Sequence, residues 1–192
     1  MMPEYSFTER LAWSRSARQG TDIETLRAMI PGCVRVEKTD ERLDKLGVDY
    51  VVTLRDGATL LIDAKAREQG CSRYWYNGMP EVALELWSVK HEKIGWTLCE
   101  KKQTDFILFT FDPSDYAEAF LVSYQLLRIA FERHLALWKA AGFRVATQSS
   151  GRWESECIFV PWNTQFGTPG VEEAINAVQR GRVAIGEPSV RF

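Results

Sequence analysis

The 192-residue chain is poor in the residues that most often hold zinc or staple a fold, with two histidines and four cysteines. Cys33, Cys71, Cys99 and Cys157 are scattered along it, form no Cys-x-x-Cys pair, and do not fall at zinc-ligand spacing with His91 or His134. A zinc site is therefore not expected, and the cysteines read as thiols of a reducing compartment. No apolar run approaches the roughly eighteen residues that a membrane span requires. The opening Met1-Met2-Pro3-Glu4-Tyr5 lacks the basic-then-apolar order of a secretory signal, so a cytoplasmic protein without a membrane partner is expected. Also lacking are a Walker loop, a Gly-x-Ser-x-Gly elbow and a Gly-x-Gly-x-x-Gly fingerprint, which removes the commonest nucleotide-binding and serine-nucleophile chemistries. Positive charge is not in excess: the formal net charge is −2. That argues weakly against a nucleic-acid partner, because phosphate neutralisation supplies much of such affinity. Net charge is silent about clustering, however, and a site that binds metal must itself carry carboxylates.

What is present suits one domain. Apolar residues make up 45% of the chain, enough for a core, with no internal repeat or long linker. Thr8 to Arg18 could form a first helix. Thr21-Asp22-Ile23-Glu24 has the form of a capping box opening a second, which Pro31-Gly32 would stop after Ile30. A short strand is expected at Cys33 to Val36 and a loop from Glu37 to Leu46. Val48 to Leu54 and Ala58 to Lys65 read as strands joined at Arg55-Asp56-Gly57. A polar, aromatic loop follows from Arg67 to Pro80, then strands at Glu81 to Ser88 and Phe106 to Phe111. Ser114-Asp115 is expected to cap a long helix ending near Gly142, on which Phe120, Tyr124, Leu127, Phe131, Leu135 and Trp138 recur at helical spacing. Strands at Phe143 to Thr147 and Cys157 to Val160 and a helix at Val171 to Gln179 complete an α/β chain. The core is expected over about residues 21–145, with a C-terminal extension over about 146–192.

Asp63-Ala64-Lys65 stands out for chemistry, although acid-x-Lys is a weak motif of which chance supplies about one in a chain of this composition. A second match, Glu100-Lys101-Lys102, precedes a strand rather than ending one. Side chains two apart on a strand share a face, so Asp63 and Lys65 point the same way. Whether Asp49 joins them depends on the hairpin. A two-residue Asp56-Gly57 turn would set Asp49 opposite Ala64, on the wrong face. A three-residue loop, a type I turn closed by Gly57 in the left-handed conformation, pairs Leu54 with Ala58 and Asp49 with Asp63. It also gathers Tyr50, Val52, Leu54, Ala58, Leu60, Ile62 and Ala64 on one apolar face. Burial of a face specifies register strongly, so the three-residue loop is expected.

Two adjacent carboxylates repel, and a divalent cation removes that penalty. Mg²⁺ or Mn²⁺ would take oxygens from Asp49, Asp63 and the Ala64 carbonyl and retain several waters. Lys65 would then orient or deprotonate an attacking water, or stabilise developing charge. Those are the parts that phosphodiester hydrolysis requires. The competing interpretation is a pair of solvated strand-end charges worth little.

A wider stretch carries a resemblance. Asp40, Asp44-Lys45-Leu46-Gly47-Val48-Asp49, Gly57 and Ile62-Asp63-Ala64-Lys65-Ala66-Arg67 come first. Leu84-Glu85-Leu86-Trp87-Ser88, Gly95-Trp96 and Thr104-Asp105-Phe106-Ile107-Leu108-Phe109 follow. This ordered set, about a third of the chain, resembles phage- and mobile-element-associated proteins of the PD-(D/E)-x-K nuclease superfamily. The resemblance implies a restriction-endonuclease-like core: a helix, an antiparallel three-strand meander, then a helix and a strand, in a mixed sheet flanked by helices. It implies metal binding by Asp49 and Asp63, catalysis by Lys65, and an assisting acid on the first core helix, for which Glu24 is the candidate, though capping explains it equally well. Val48 stands where the motif's name has Pro, a common departure that leaves the chemistry untouched.

Other residues keep two interpretations. Glu85 would reach metal-bound water if its strand lay beside that of Asp63, and would otherwise face solvent. Arg73 and Trp75, in Arg73-Tyr74-Trp75-Tyr76-Asn77, could stack on bases and hold phosphate, or form a lid on the core, which is slightly favoured. Lys101, Lys102 and Arg152 are weaker phosphate-contact candidates. Two functions follow: a metal-dependent nuclease acting on nucleic acid, DNA before RNA, or a catalytically inactive module of the same fold that binds nucleic acid or a protein partner. A homo-oligomer is compatible with both.

Overall fold

The Arg55-Asp56-Gly57 turn sets the frame of the molecule. In the computed structural model, which describes residues 19–67, 70–114, 116–149, 153–164 and 167–184, Gly57 takes φ +85°. Its amide donates to the Leu54 carbonyl at 3.0 Å, and the Leu54 amide donates to Ala58 at 2.8 Å. The Asp56 side chain accepts from the Ala58 amide. This three-residue loop joins strands β2 (Tyr50–Leu54) and β3 (Thr59–Ala66) in the register Tyr50 to Ile62 and Val52 to Leu60. The expected pairing is therefore the one adopted. β1 (Cys33–Lys38) adds to β2 and completes an antiparallel meander.

The apolar face of that meander explains the first helix. Tyr50, Val52 and Ile62 are buried with Leu26 and Ile30 of the α1 segment (Gln19–Met29 and the turn after it), and Leu54, Leu60 and Ala64 pack at the margin. Gln19 and Gly20 are already helical, so Thr21 is an interior position and the expected capping box does not open this helix. Burial of Leu26 against the sheet, a tertiary effect, outweighs the local start signal. The helix expected over Thr8 to Arg18 lies outside the described residues. Between β1 and β2 the expected loop contains a single helical turn, α2 (Glu41–Asp44), with Asp40 as its N-cap accepting from the Arg42 and Leu43 amides.

β3 pairs on its other edge with β6 (Phe106–Thr110) in parallel, Asp63 beside Ile107 and Lys65 beside Phe109. β6 is buried along its whole length, as its unbroken apolar run predicts. β7 (Phe120–Ser123) completes a mixed five-stranded sheet, β1-β2-β3-β6-β7. The expected cap at Ser114 is corrected here. Ser114 donates to Asp112 in a turn, and α3 (Tyr124–Ala140) begins ten residues later with Ser123 as N-cap. Phe120-Leu121-Val122 is a short apolar run compatible with strand or helix, and pairing with β6 decides for strand.

Among its described residues the crossover from β3 to β6 holds short 3-10 turns and not the α-helix that the resemblance implies. It contains β4 (Glu81–Val89) and β5 (Lys93–Ile94). These join β8 (Val145–Ser149) and β9 (Glu154–Pro161) in a second, antiparallel sheet of order β5-β4-β9-β8. Residues assigned to a C-terminal extension are thus half of that sheet. Val82, Leu84 and Leu86 of β4 share one core with Ile107 and Phe109 of β6, with α3 through Leu127, Phe131 and Trp138, and with Val171 and Ala174 of α4 (Val171–Ala184). Among the described residues no helix is long and apolar enough to cross a membrane.

Candidate metal and acid-base site

The face of β3 that meets the second sheet carries Asp63 and Lys65. Asp49 stands one residue before β2, where the ladder has ended at Tyr50–Ile62, and its amide donates to the Ile62 carbonyl at 2.8 Å. The Asp49 carboxylate accepts from the Ala64 amide at 2.8 Å and hydrogen-bonds Asp63. Peptide groups alternate edges along a strand, so the Ala64 carbonyl lies on the same edge as its amide, beyond the last ladder pair with β2. Sequence reasoning had united Asp49, Asp63, Ala64 and Lys65, and the structure brings all four together.

The electrostatics of the two carboxylates differ sharply. Asp63 is 2% exposed. One of its oxygens lies 2.7 Å from the Lys65 Nζ and the other 2.6 Å from the Lys102 Nζ. Burial works to raise its pKa, but the two ammonium groups outweigh burial and hold it below the ordinary carboxylate range. Asp49 holds no such ion pair. Burial, its hydrogen bond to Asp63 and the charge of Asp63 push its pKa up to about 7. Burial works to lower the Lys65 pKa, yet Asp63 and Asp49 together keep it above the usual value. Burial lowers that of Lys102, and Asp63 offsets this incompletely.

Lys102, expected as a surface phosphate contact, is instead 5% exposed in its side chain and belongs to this cluster. Its ammonium also donates to the Gly47 carbonyl at 3.2 Å and lies 5.8 Å from the ring centres of Trp96 and Tyr124. Room for it exists because residue 47 is glycine: a Cβ there would collide with the Lys102 side chain. Trp96 also faces Lys65, at 5.3 Å. The tryptophan is delivered by the second sheet, where the Glu85 carboxylate accepts from the Trp96 amide and the Ser88 hydroxyl, both at 2.8 Å. Glu85 therefore lies on β4 rather than beside Asp63. It anchors the Trp96 segment and acts on Lys65 through its charge.

A groove of about 690 Å³ opens at this end of β2 and β3, lined by Asp22, Lys38, Asp49, Lys65, Arg67 and Trp96 among others. That size suits a small ligand or a short polymer segment. The helix acid at this groove is Asp22, not Glu24. Asp22 is 5% exposed and accepts from the Tyr50 hydroxyl at 3.1 Å, whereas Glu24 is exposed. The pattern that gave Asp22 a place in the first turn of a helix concealed it; its signal was the pairing of a helix acid with a tyrosine on the buried face of β2.

The expected nucleic-acid contacts are dispersed. Trp75 packs edge-on against Phe111 and Tyr116, as a lid on the core. Arg73 lies over the Tyr74 ring at 4.8 Å, Lys101 is exposed, and neither lines the groove. Arg152 lies outside the described residues.

Asp49, Asp63 and the Ala64 carbonyl make an all-oxygen donor set, the kind that Mg²⁺ and Mn²⁺ take. Among the described residues no group of three or more His, Cys, Asp or Glu side chains gathers to hold a metal ion. A divalent cation here would rest on two carboxylates, a peptide carbonyl and water. Asp49, whose pKa is raised chiefly by burial, is the carboxylate of the set that holds no lysine ion pair. Comparison of the chain with protein-family models, with curated proteins and with solved structures finds no match.

Proposed function

We propose that this protein is a divalent-metal-dependent nuclease that hydrolyses phosphodiester bonds, with DNA as the favoured substrate, on a restriction-endonuclease-like core. The observation carrying this reading is the contact of the Asp49 and Asp63 carboxylates, with Lys65 ion-paired to Asp63 and lining a groove. The helix-covered meander and the parallel β6 beside β3 support the choice of core. The strand-bearing crossover departs from it.

Asp49 and Asp63 would hold the metal, with the Ala64 carbonyl as a third oxygen. A bound Mg²⁺ supplies polarisation of a phosphoryl oxygen and a more acidic water. Lys65, a third exposed and only singly hydrogen-bonded, can turn from Asp63 toward an incoming phosphate and place its positive charge where the transition state gathers negative charge. Trp96 limits the directions open to that ammonium and, with the walls of the groove, excludes water from it.

The alternative, an inactive module of this fold that binds nucleic acid or a partner, is favoured by one feature: both Asp63 oxygens are already neutralised by lysines. A cleavage assay separates the two. Single- and double-stranded DNA and RNA are incubated with Mg²⁺ or Mn²⁺ and either wild type or Asp63→Asn. Metal-dependent cleavage by wild type, lost in the variant, supports the nuclease. Binding without cleavage under every condition sinks it.

A further inference from the structure

Asp63 is ion-paired with two ammonium groups that differ in how they are held. Lys65 reaches the groove from the same strand, a third exposed. Lys102 lies outside the groove lining and is enclosed. Its ammonium has Asp63 and the Gly47 carbonyl as partners and the Trp96 and Tyr124 rings as walls. The segment bearing it is fastened on both sides: the Gln103 amide donates to Leu46, the Thr104 hydroxyl to the Gly47 carbonyl, and the Lys102 amide to Cys99. Lys65 can leave Asp63 by rotating its side chain. Lys102 has no such freedom of access, its ammonium being enclosed by the carbonyl and rings around it.

This asymmetry has an electrostatic consequence. A divalent cation arriving on Asp63 meets a carboxylate whose charge is already balanced, and one of the two balancing cations is buried and enclosed. Nearby carboxylates relieve this incompletely: Asp49 is the other metal ligand, Glu85 is engaged with Trp96 and Ser88, and Asp22 is bonded to Tyr50 on the opposite face of β2. Asp40, Glu41 and Asp44 line the outer groove. Glu41 and Asp44 are solvated and screened, and Asp40 is engaged in its cap. The surplus positive charge is removed by an anion entering with the metal, with Lys65 turning to meet it.

We propose that Lys102 is a permanent counter-cation of Asp63 that makes tight metal binding conditional on a phosphate anion, so that metal and the phosphodiester load together. The inference rests on the metal-binding reading of the site. Lys102 is on this account a positioning residue: it holds Asp63 and sets the charge against which the metal must bind. Thermodynamic linkage requires the coupling to be reciprocal, the anion binding more tightly with metal present by the same factor.

The test measures Mn²⁺ binding by electron paramagnetic resonance on the whole chain. Measurements are made alone, with dithymidine phosphorothioate, and with its neutral methylphosphonate analogue. Wild type is expected to bind Mn²⁺ about tenfold or more tightly with the anionic dinucleotide and to gain little from the neutral one. Lys102→Gln keeps a donor for Asp63 and for the Gly47 carbonyl while removing the charge. It is expected to bind Mn²⁺ alone about tenfold more tightly than wild type and to lose most of the coupling. Lys102→Met serves if the amide variant does not fold, and the wild-type comparison needs no variant. Equal Mn²⁺ affinity in wild type with and without the anion overturns the proposal and leaves the metal site standing. Unchanged Mn²⁺ affinity in Lys102→Gln does the same. Failure of every form to bind Mn²⁺ under any condition overturns both.

Discussion

Asp49 and Asp63 touch through their carboxylates in unequal company: Asp63 is ion-paired with two ammonium groups, and Asp49 is bonded to the Ala64 amide and to Asp63 itself. The pair therefore titrates far apart, and the sign of each contribution to stability follows. Asp49 has a folded pKa near 7, above its ordinary value, so its contribution is fully present below about pH 4 and is lost as pH rises toward 7. Asp63 is depressed, so its contribution is present above about pH 4 and is lost as pH falls through its lower folded value. Metal-free Asp49→Asn should gain stability relative to wild type between pH 5 and pH 8, by on the order of 1 kcal/mol or more. Urea unfolding at the two pH values measures it, and a difference that does not change with pH would show that Asp49 is not the group titrating there.

The same raised carboxyl links metal uptake to protons. Below pH 7 a divalent cation must expel the Asp49 proton, so its affinity should fall as pH drops from 8 to 6. Calorimetry at pH 6 in buffers of differing ionisation enthalpy should report release of about one proton per metal. Asp49→Asn should abolish both the binding and the release.

Lys65→Ala removes the mobile ammonium and leaves Asp63 with Lys102. Turnover of a substrate that wild type cleaves should fall by at least about a hundredfold, with substrate and metal binding retained. Wild-type turnover in this variant would refute the role given to Lys65.

Gly47 and Gly57 both adopt left-handed backbone, at φ +78° and +85°. An added Cβ meets nothing within 4 Å at Gly57 but collides with Lys102 at Gly47. Gly57→Ala should therefore cost about 1–2 kcal/mol of backbone strain and leave metal binding intact. Gly47→Ala should cost more, because the same backbone strain is joined by displacement of the buried Lys102 side chain that pairs with Asp63. It should also alter metal affinity. Thermal unfolding with and without Mn²⁺ compares the two, and equal losses would mean that Lys102 is not held as described.

Local signals were readable and long-range ones were not. The Gly57 loop and the alternation of Tyr50, Val52, Leu60 and Ile62 carry their own register, because a one-residue slip would expose the buried face. The unbroken run of β6 read as buried for the same kind of reason. Lys102 carries no such signal. Its place depends on a parallel pairing of β3 with β6 and on the gap at Gly47, both set by residues distant in the chain. The capping pattern points to Glu24, whereas the phase of the helix, set by burial of Leu26 and Ile30, turns Asp22 inward and leaves Glu24 exposed. The second sheet was hidden because β4 pairs with β9, which its own alternation cannot announce.

The parallel contact of β3 with β6 imposes an order on assembly. β3 can form early, as half of a hairpin whose loop is three residues, but β6 reaches it only after the chain has made the excursion that lays down β4 and the Trp96 segment. Closing so large a loop is slow relative to hairpin formation. The Lys102 ammonium arrives on the same excursion, immediately before β6. Until then Asp49 and Asp63 are exposed on an open hairpin with no lysine other than Lys65 beside them. The Asp63–Lys102 pair thus forms only when the segment before β6 is brought against β3.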